Sequence, residues 1–145
     1  MVVEGNPKLI PYLEKNKQIN HSGFTILNRA ASQEKIVTFF LNDEFIVGGT
    51  TQRKSANPVT VPGSSLDGLN AEFGPFTALI IDIEGAEADV IPPATDFLKN
   101  CRLVVVETHD WACGVERTEE CRRTLSAAGL VYAATEGDTE AWVRP

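Results

Sequence analysis

The chain has 145 residues, of which 43% are hydrophobic, and its formal net charge is −7. This composition predicts a single folded domain over residues 1–145. Only 13 Lys and Arg stand against 20 Asp and Glu, which gives no reason to expect a nucleic-acid partner. No apolar run approaches the roughly 20 residues that cross a bilayer, and the N-terminus lacks a signal-peptide pattern. We therefore expect a cytoplasmic protein without a membrane partner.

The first half of the chain alternates helical and extended patterns. Apolar residues recur at helical spacing after Asn6-Pro7 and predict a helix over about residues 7–20. Strands are predicted at residues 24–27, 36–40, 44–47 and 59–61, with a polar loop at 50–57. Ser65 is predicted to cap a brief helix at 66–71.

Two nearly continuous apolar runs, at residues 78–82 and 103–107, dominate the second half. Such runs are typical of strands that are buried on both faces, as in a parallel sheet covered by helices. The segment between the two runs is predicted to be helical in part and broken at Pro92-Pro93.

The C-terminal third predicts one more helix and a hairpin. Thr118 is expected to cap the helix and Gly129 to end it. A turn at residues 136–138 predicts an antiparallel hairpin between 130–134 and 140–143. Because strand and helix alternate throughout, we predict an α/β fold with a doubly wound, mostly parallel sheet and the hairpin at its C-terminal edge.

Three cysteines, Cys101, Cys113 and Cys121, form an odd set without a CxxC motif, so we interpret them as buried, inert thiols. Trp111 and Trp142 are interpreted as residues that pack against the sheet rather than on a ligand.

Acidic residues and a histidine follow the two apolar runs. Asp82 and Glu84 come at the end of the first run, and Glu107 and His109 at the end of the second. Side chains alternate along a strand, and the carboxyl ends of parallel strands meet at one edge of the sheet. We therefore expect these four side chains to converge.

Three interpretations of this group stay open from the residues themselves. It could be a methyl-transfer site, in which one carboxylate or His109 takes a proton from the acceptor. It could bind a hard divalent cation, because oxygen ligands with one imidazole suit Mg²⁺ or Mn²⁺. The third interpretation is structural: the acids cap helices and turns, which accounts well for Glu84 and Glu87 in a first helical turn.

Several short motifs, in this order along the chain, resemble the FkbM-type methyltransferases. The motifs are Val3-Glu4-x-Asn6-Pro7, then Asn28-x-Ala30-Ala31-Ser32, then Ser65-Leu66-Asp67, then Ile81-Asp82-Ile83-Glu84-Gly85-Ala86-Glu87, and then Val106-Glu107-x-His109. The similarity extends over nearly the whole chain. That family has the class I methyltransferase fold and mostly methylates hydroxyl groups of sugars or natural products with S-adenosylmethionine.

The resemblance implies roles for individual residues. Those implied to bind the cofactor are Glu4, Asn6, Ala30, Ala31 and Asp82. Glu4 would bond the two ribose hydroxyls, the turn that contains Ala30 and Ala31 would lie near the adenine, and Asp82 would lie beside the methionine moiety or the acceptor. Those implied to surround a small-molecule acceptor as catalytic residues are Asp82, Glu84, Glu107 and His109. No metal ligand is assigned.

One family feature is absent from these 145 residues. The family's first strand and helix carry a glycine-rich loop that approaches the methionine end of the cofactor, where a Cβ would be too close. This chain contains no GxG. The resemblance therefore implies a truncated domain that begins at the second strand of the class I sheet and lacks its central strand. We expect weak or no cofactor binding by the chain alone.

Two hypotheses about function follow. The chain is a methyltransferase that needs a glycine-rich segment from elsewhere, or it is a non-catalytic binding or assembly module on the same scaffold. The missing central strand would also leave unpaired strand edges. We expect that Val2-Val3 pairs directly with residues 78–82, or that a second copy covers the edge in a homodimer.

Overall fold

A computed structural model describes residues 1–41, 49–50 and 57–145. These residues form two compact units, Met1–Ser64 and Ser65–Pro145. The predicted strand at 44–47 and nearly all of the predicted loop at 50–57 lie outside the described residues.

The first unit opens with a parallel pair of strands that are joined through one helix. Strand β1 (Val2–Val3) pairs with β2 (Ile26–Leu27), and helix α1 (Ile10–Ile19) lies between them in the chain. Before the helix, Asn6 Oδ1 accepts a backbone N–H two residues further on at 2.9 Å and closes a turn. The predicted N-terminal helix is confirmed, but it begins at Ile10 because this turn occupies its expected first residues.

A four-stranded sheet completes the first unit. Its strands are β3 (Ala30–Ala31), β4 (Ile36–Leu41), β5 (Gly49–Thr50) and β6 (Asn57–Ser64), in the order β3-β6-β4-β5. The pair β3–β6 is parallel, whereas β4 pairs antiparallel with β6 and with β5. Ala30, Val37 and Val61 form its buried cluster. The strands predicted at 36–40 and 59–61 are confirmed as parts of longer strands.

The second unit alternates helices and strands around another four-stranded sheet. In chain order its elements are α2 (Leu66–Phe73), β7 (Ala78–Ile81), α3 (Glu87–Val90), α4 (Thr95–Asn100), β8 (Leu103–Glu107), α5 (Asp110–Cys113), α6 (Val115–Ala127), β9 (Val131–Glu136) and β10 (Thr139–Val143). The strand order is β7-β8-β10-β9. The pair β7–β8 is parallel and the other pairs are antiparallel.

The core of the second unit lies on one face of this sheet. Val104 and Val106 of β8 are buried, as are Leu125 of α6 and Ile91. The opposite face is less covered, and Ile80 of β7 is 79% exposed. The prediction that both apolar runs are buried on both faces is therefore wrong: β7 and β8 alternate in burial, as strands do when one face carries the core.

Most of the predicted helix and hairpin boundaries in the second unit agree with the observed secondary structure. The helical break at Pro92-Pro93 and the C-terminal hairpin are confirmed. Gly129, at φ +85°, follows the last helix as predicted. The prediction of Thr118 as a helix cap is wrong, because α6 begins at Val115 and Thr118 is buried within its first turns.

The described strands form three sheets, and both four-stranded sheets mix parallel and antiparallel pairs. The predicted α/β class is confirmed, but one doubly wound, mostly parallel sheet is not. Val2–Val3 pairs with Ile26–Leu27, and the expected pairing of Val2-Val3 with residues 78–82 stays a prediction. The single domain and the homodimer stay predictions.

None of the helices in the described part of the chain has the length and apolar character of a membrane span.

Two of the three cysteines are deeply buried. Burial raises the pKa of the Cys101 thiol to about 11 and that of Cys121 to about 12, so both stay protonated at neutral pH. The prediction of buried, inert thiols is confirmed for these two, whereas Cys113 is half-buried.

The N-cap of α2 gives a first test. Ser65 Oγ accepts the Gly68 N–H at 3.0 Å, so Ser65→Ala should lower the free energy of unfolding by about 1 kcal/mol in urea denaturation. Ser65→Asp should restore most of that loss. Ser126→Ala, on the exposed side of α6, serves as the control. An equal effect of the two alanine substitutions would contradict the assigned cap.

Candidate active site

The loop after β7 turns sharply at two consecutive residues. Glu84 has a φ of +58° and Gly85 a φ of +101°. Positive φ is uncommon for a residue with a side chain. A Cβ on Gly85 would lie 2.5 Å from the Cβ of Ala112 in α5. The glycine is therefore required by its backbone conformation and by the close approach of α5.

Glu87 holds this loop from within the protein. Its Oε1 accepts the Ile83 N–H at 2.6 Å, and its Oε2 accepts the Gly85 N–H at 2.9 Å. The residue is only 3% exposed. Burial raises the pKa of Glu87, although the backbone hydrogen bonds and nearby His109 act in the opposite direction. The carboxylate thus fixes the direction in which the chain leaves β7.

His109 lies on the other side of Glu87, directly before α5. Its side chain is 7% exposed, and Nδ1 is 3.3 Å from Glu87 Oε1. That distance suits an ion pair, but no hydrogen bond of acceptable geometry joins the two atoms, and Nδ1 is buried without a partner among the described residues.

The other ring nitrogen of His109 faces three carboxylates. Nε2 is 3.7 Å from Asp82 Oδ1, 4.0 Å from Glu84 Oε2 and 3.9 Å from Glu107 Oε1. We call these four residues the His109 cluster. The three acidic side chains are 42–58% exposed, whereas the ring is buried, so solvent reaches the cluster from the carboxylate side. The predicted convergence of the four residues is confirmed; their catalytic roles stay a prediction.

Sequence reasoning missed the exposure of Trp111, which it assigned to packing against the sheet, and the proximity of Glu87 to His109. The structural interpretation left open for Glu87, the cap of a helical turn, agrees with the two backbone N–H groups that its carboxylate accepts. Trp111 is 58% exposed and meets the His109 ring edge-on, with centroids 5.8 Å apart. A glutamate that follows a strand end by a few residues can reach back to backbone N–H groups, as in a capping box, and this signal could have indicated Glu87. Trp111 carries no such signal.

The predicted ribose ligand, Glu4, lies in the first unit and is half-buried. Its Oε1 accepts the Asn6 N–H at 2.6 Å. Asn28 Nδ2 donates to the Glu4 and Gly5 carbonyls at 2.8 and 3.2 Å and so fixes the backbone of this loop. Burial raises the pKa of Glu4, and the Asn6 hydrogen bond opposes that shift.

The other predicted cofactor-binding residues of this unit make contacts that belong to the fold itself. Asn6 is 4% exposed and is engaged in its turn. Ala30 and Ala31 form a strand rather than a turn, paired with Gly63 and Ser64. Ala30 is 6% exposed. Their roles toward a cofactor stay a prediction.

A comparison of the chain with models of known protein families agrees with the resemblance seen in its motifs. The model of the methyltransferase FkbM domain matches residues 1–132 of the 145. The chain therefore belongs to the FkbM methyltransferase family, as its motifs predict. No curated protein matches the chain closely enough to be counted as a relative.

The packing of Gly85 gives a second test. Gly85→Ala should lower the free energy of unfolding by about 2–4 kcal/mol, because it combines positive φ with a collision against α5. Gly137→Ala is the matched control: Gly137 has a φ of +58°, but no atom within 4 Å of the added Cβ. It should cost about 1 kcal/mol for the backbone conformation. Similar losses in chemical denaturation would refute the close contact with Ala112.

The burial of Glu4 gives a third test, through pH. The folded state holds the Glu4 proton more tightly than the unfolded chain, whose pKa is near 4.5. As pH rises from 4.5 through the raised pKa of the folded state, the wild type should therefore lose stability relative to Glu4→Gln. The glutamine can still accept the Asn6 N–H. Melting temperatures of both proteins across this pH range measure the difference; parallel curves, or the opposite slope, would exclude it.

Proposed function

We propose that the chain is a methyltransferase domain that transfers a methyl group from S-adenosylmethionine to a hydroxyl of a sugar or natural product. The observation that carries the proposal is the His109 cluster, in a chain of the FkbM methyltransferase family. A buried imidazole beside solvent-exposed carboxylates is suited to bind a hydroxylated acceptor and to remove its proton.

The strand order of the second unit supports a class I arrangement. A parallel pair, β7–β8, is followed by the hairpin, whose second strand β10 inserts between β8 and β9. This reproduces the 4-5-7-6 half of the class I order 3-2-1-4-5-7-6, and the parallel pair β1–β2 is consistent with its strands 2 and 3. We propose the doubly wound class I sheet on this basis.

Within the His109 cluster, we assign binding of the acceptor to the exposed carboxylates and removal of its proton to the imidazole. Asp82, Glu84 and Glu107 are partly exposed and can accept hydrogen bonds from the acceptor's hydroxyl groups. Nε2 of His109, which faces the carboxylates, can take the proton of the reacting hydroxyl, and the charge that the ring gains then lies 3.7–4.0 Å from three carboxylates. When bound, S-adenosylmethionine supplies the methyl group, and its sulfur takes the electron pair of the breaking bond.

The residues of the chain fit one end of the cofactor better than the other. Glu4 has a second carboxylate oxygen that makes no hydrogen bond with the described residues, and this oxygen can accept from a ribose hydroxyl. The methionine end needs close backbone donors, and the 145 residues contain no GxG. We therefore propose weak activity, or none, for the chain alone.

Calorimetric titration with S-adenosylmethionine tests this proposal. The 145-residue chain should bind weakly or not at all, because several missing backbone hydrogen bonds at roughly 1 kcal/mol each lower affinity by orders of magnitude. Micromolar affinity would contradict the weak-binding proposal.

A transfer assay tests catalysis separately. At millimolar cofactor, any methylation of sugar hydroxyls should fall sharply in His109→Gln and persist in Glu120→Gln, an exposed acid on α6 outside the cluster. Equal rates in the two variants would exclude His109 as the base. If no transfer occurs with a broad set of acceptors, the alternative of a non-catalytic binding module gains support.

A further inference from the structure

We propose that the His109 cluster binds one divalent transition-metal ion, for which Mn²⁺ is a suitable probe. The inference goes beyond methyl transfer and does not rest on it, because a chain that binds no S-adenosylmethionine can still bind the ion. It concerns the same four residues, with Glu87 beside the other ring nitrogen, Nδ1.

The donor set favours this class of ion. Potential ligand atoms of Asp82, Glu84 and His109 all lie within 4.8 Å of one another, and Glu107 adds a third carboxylate 3.9 Å from Nε2. Carboxylates suit Mg²⁺, Ca²⁺ and Mn²⁺, whereas imidazole suits transition metals. A site with both ligand types selects ions such as Mn²⁺ over Ca²⁺, which prefers oxygen ligands throughout.

The buried ring is an independent indication of a ligand. The side chain of His109 is more than nine-tenths buried, yet neither ring nitrogen makes a hydrogen bond with residues 1–41, 49–50 or 57–145. The nitrogen that is fully buried without a partner is Nδ1, whereas Nε2 faces the three carboxylates at distances beyond hydrogen-bonding range. Buried polar groups in folded proteins are nearly always satisfied. An ion between Nε2 and the carboxylates would fix the ring proton on the buried Nδ1, beside Glu87 Oε1.

The uncompensated negative charge of the carboxylates also favours a bound cation. Three carboxylates surround Nε2, and no Lys or Arg in the described ranges forms an ion pair with any of them. Asp82 and Glu84 place carboxylate oxygens within 4.8 Å of each other, and two unit charges at about that separation repel by roughly 1–4 kcal/mol, depending on solvent exposure. A divalent cation removes this repulsion.

The spacing is compatible with an ion after a small adjustment. Ligands about 2.1 Å from a metal lie about 3–4.2 Å apart in an octahedron. The separations of 3.7–4.0 Å from Nε2 fall within this interval, and the 4.8 Å limit of the group lies above it. Because the acidic side chains are partly exposed, they can rotate inward without disturbing the core.

Glu87 completes the arrangement. A histidine that binds a metal through one nitrogen usually donates its other N–H to a carboxylate or carbonyl. With an ion on Nε2, the proton of His109 is fixed on Nδ1, 3.3 Å from Glu87 Oε1. The unpartnered Nδ1 then gains an acceptor through a small rotation of the ring.

Titration of the full chain with Mn²⁺, followed by electron paramagnetic resonance of the free ion and without S-adenosylmethionine, tests the proposal. About one Mn²⁺ per chain should bind. Asp82→Asn, at an exposed position, and His109→Gln should each weaken binding at least about tenfold. Glu120→Gln removes the same charge as Asp82→Asn at an exposed site on α6, so its affinity should stay within about twofold of the wild type.

Each result decides the question. Absence of binding at millimolar Mn²⁺ would overturn the proposal. Binding that Asp82→Asn and Glu120→Gln weaken equally would overturn it as well, because general attraction to an acidic protein would then suffice. Circular dichroism shows whether His109→Gln is folded; if it is not, Asp82→Asn alone decides. Loss of cofactor binding or of methyl transfer leaves this result unaffected, since neither enters the measurement.

Discussion

The buried carboxylate of Glu87 is the contact on which the candidate site depends. It accepts two backbone N–H groups of the loop after β7 and lies 3.3 Å from the His109 ring. Without it, the buried Gly85 N–H would lose its partner, at a cost of about 1–3 kcal/mol. Burial of the charged carboxylate is itself unfavourable, and it raises the pKa of Glu87. This one side chain therefore fixes the acidic loop and lies directly beside the imidazole, and the His109 cluster forms next to both.

The parallel register of β7 and β8 supplies the rest of the geometry. Ile81 pairs with Val106, so Asp82 and Glu107 follow at the same level of the sheet. Glu84 and His109 come two residues later on each chain segment. Equal offsets from paired positions bring the four side chains to one edge, because parallel strands end on the same side. The crossover through α3 and α4 is what makes β7 and β8 parallel.

Sequence patterns predicted those features of the fold that depend on residues close together in the chain. The helix before residue 20, the cap at Ser65, the break at Pro92-Pro93, the hairpin and the convergence of the four site residues followed from periodicity, turn residues and strand alternation. The proximity of Glu87 and Trp111 to His109 could not be predicted from these patterns, because the contacts of a long side chain depend on where the loop after β7 and helix α5 pack. Thr118 failed as a cap because Gly114, at φ +89°, already precedes the helix. The single doubly wound sheet was predicted from the alternation of strand and helix along the chain, and the described pairings do not extend to it.

Proton transfer and metal binding place different demands on the same ring. A base needs a free lone pair on Nε2, whereas a metal ligand has donated that lone pair, so His109 cannot serve both roles at once. With an ion on Nε2, a carboxylate oxygen that does not bind the ion would have to accept the hydroxyl proton, and the ion would lower the cost of the negative oxygen that results. If no ion is bound, the three carboxylates instead favour the positive ring. In both cases the proton on Nδ1 faces Glu87 Oε1 at 3.3 Å, and the same carboxylate accepts the two backbone N–H groups of the loop, which offsets part of the cost of its burial.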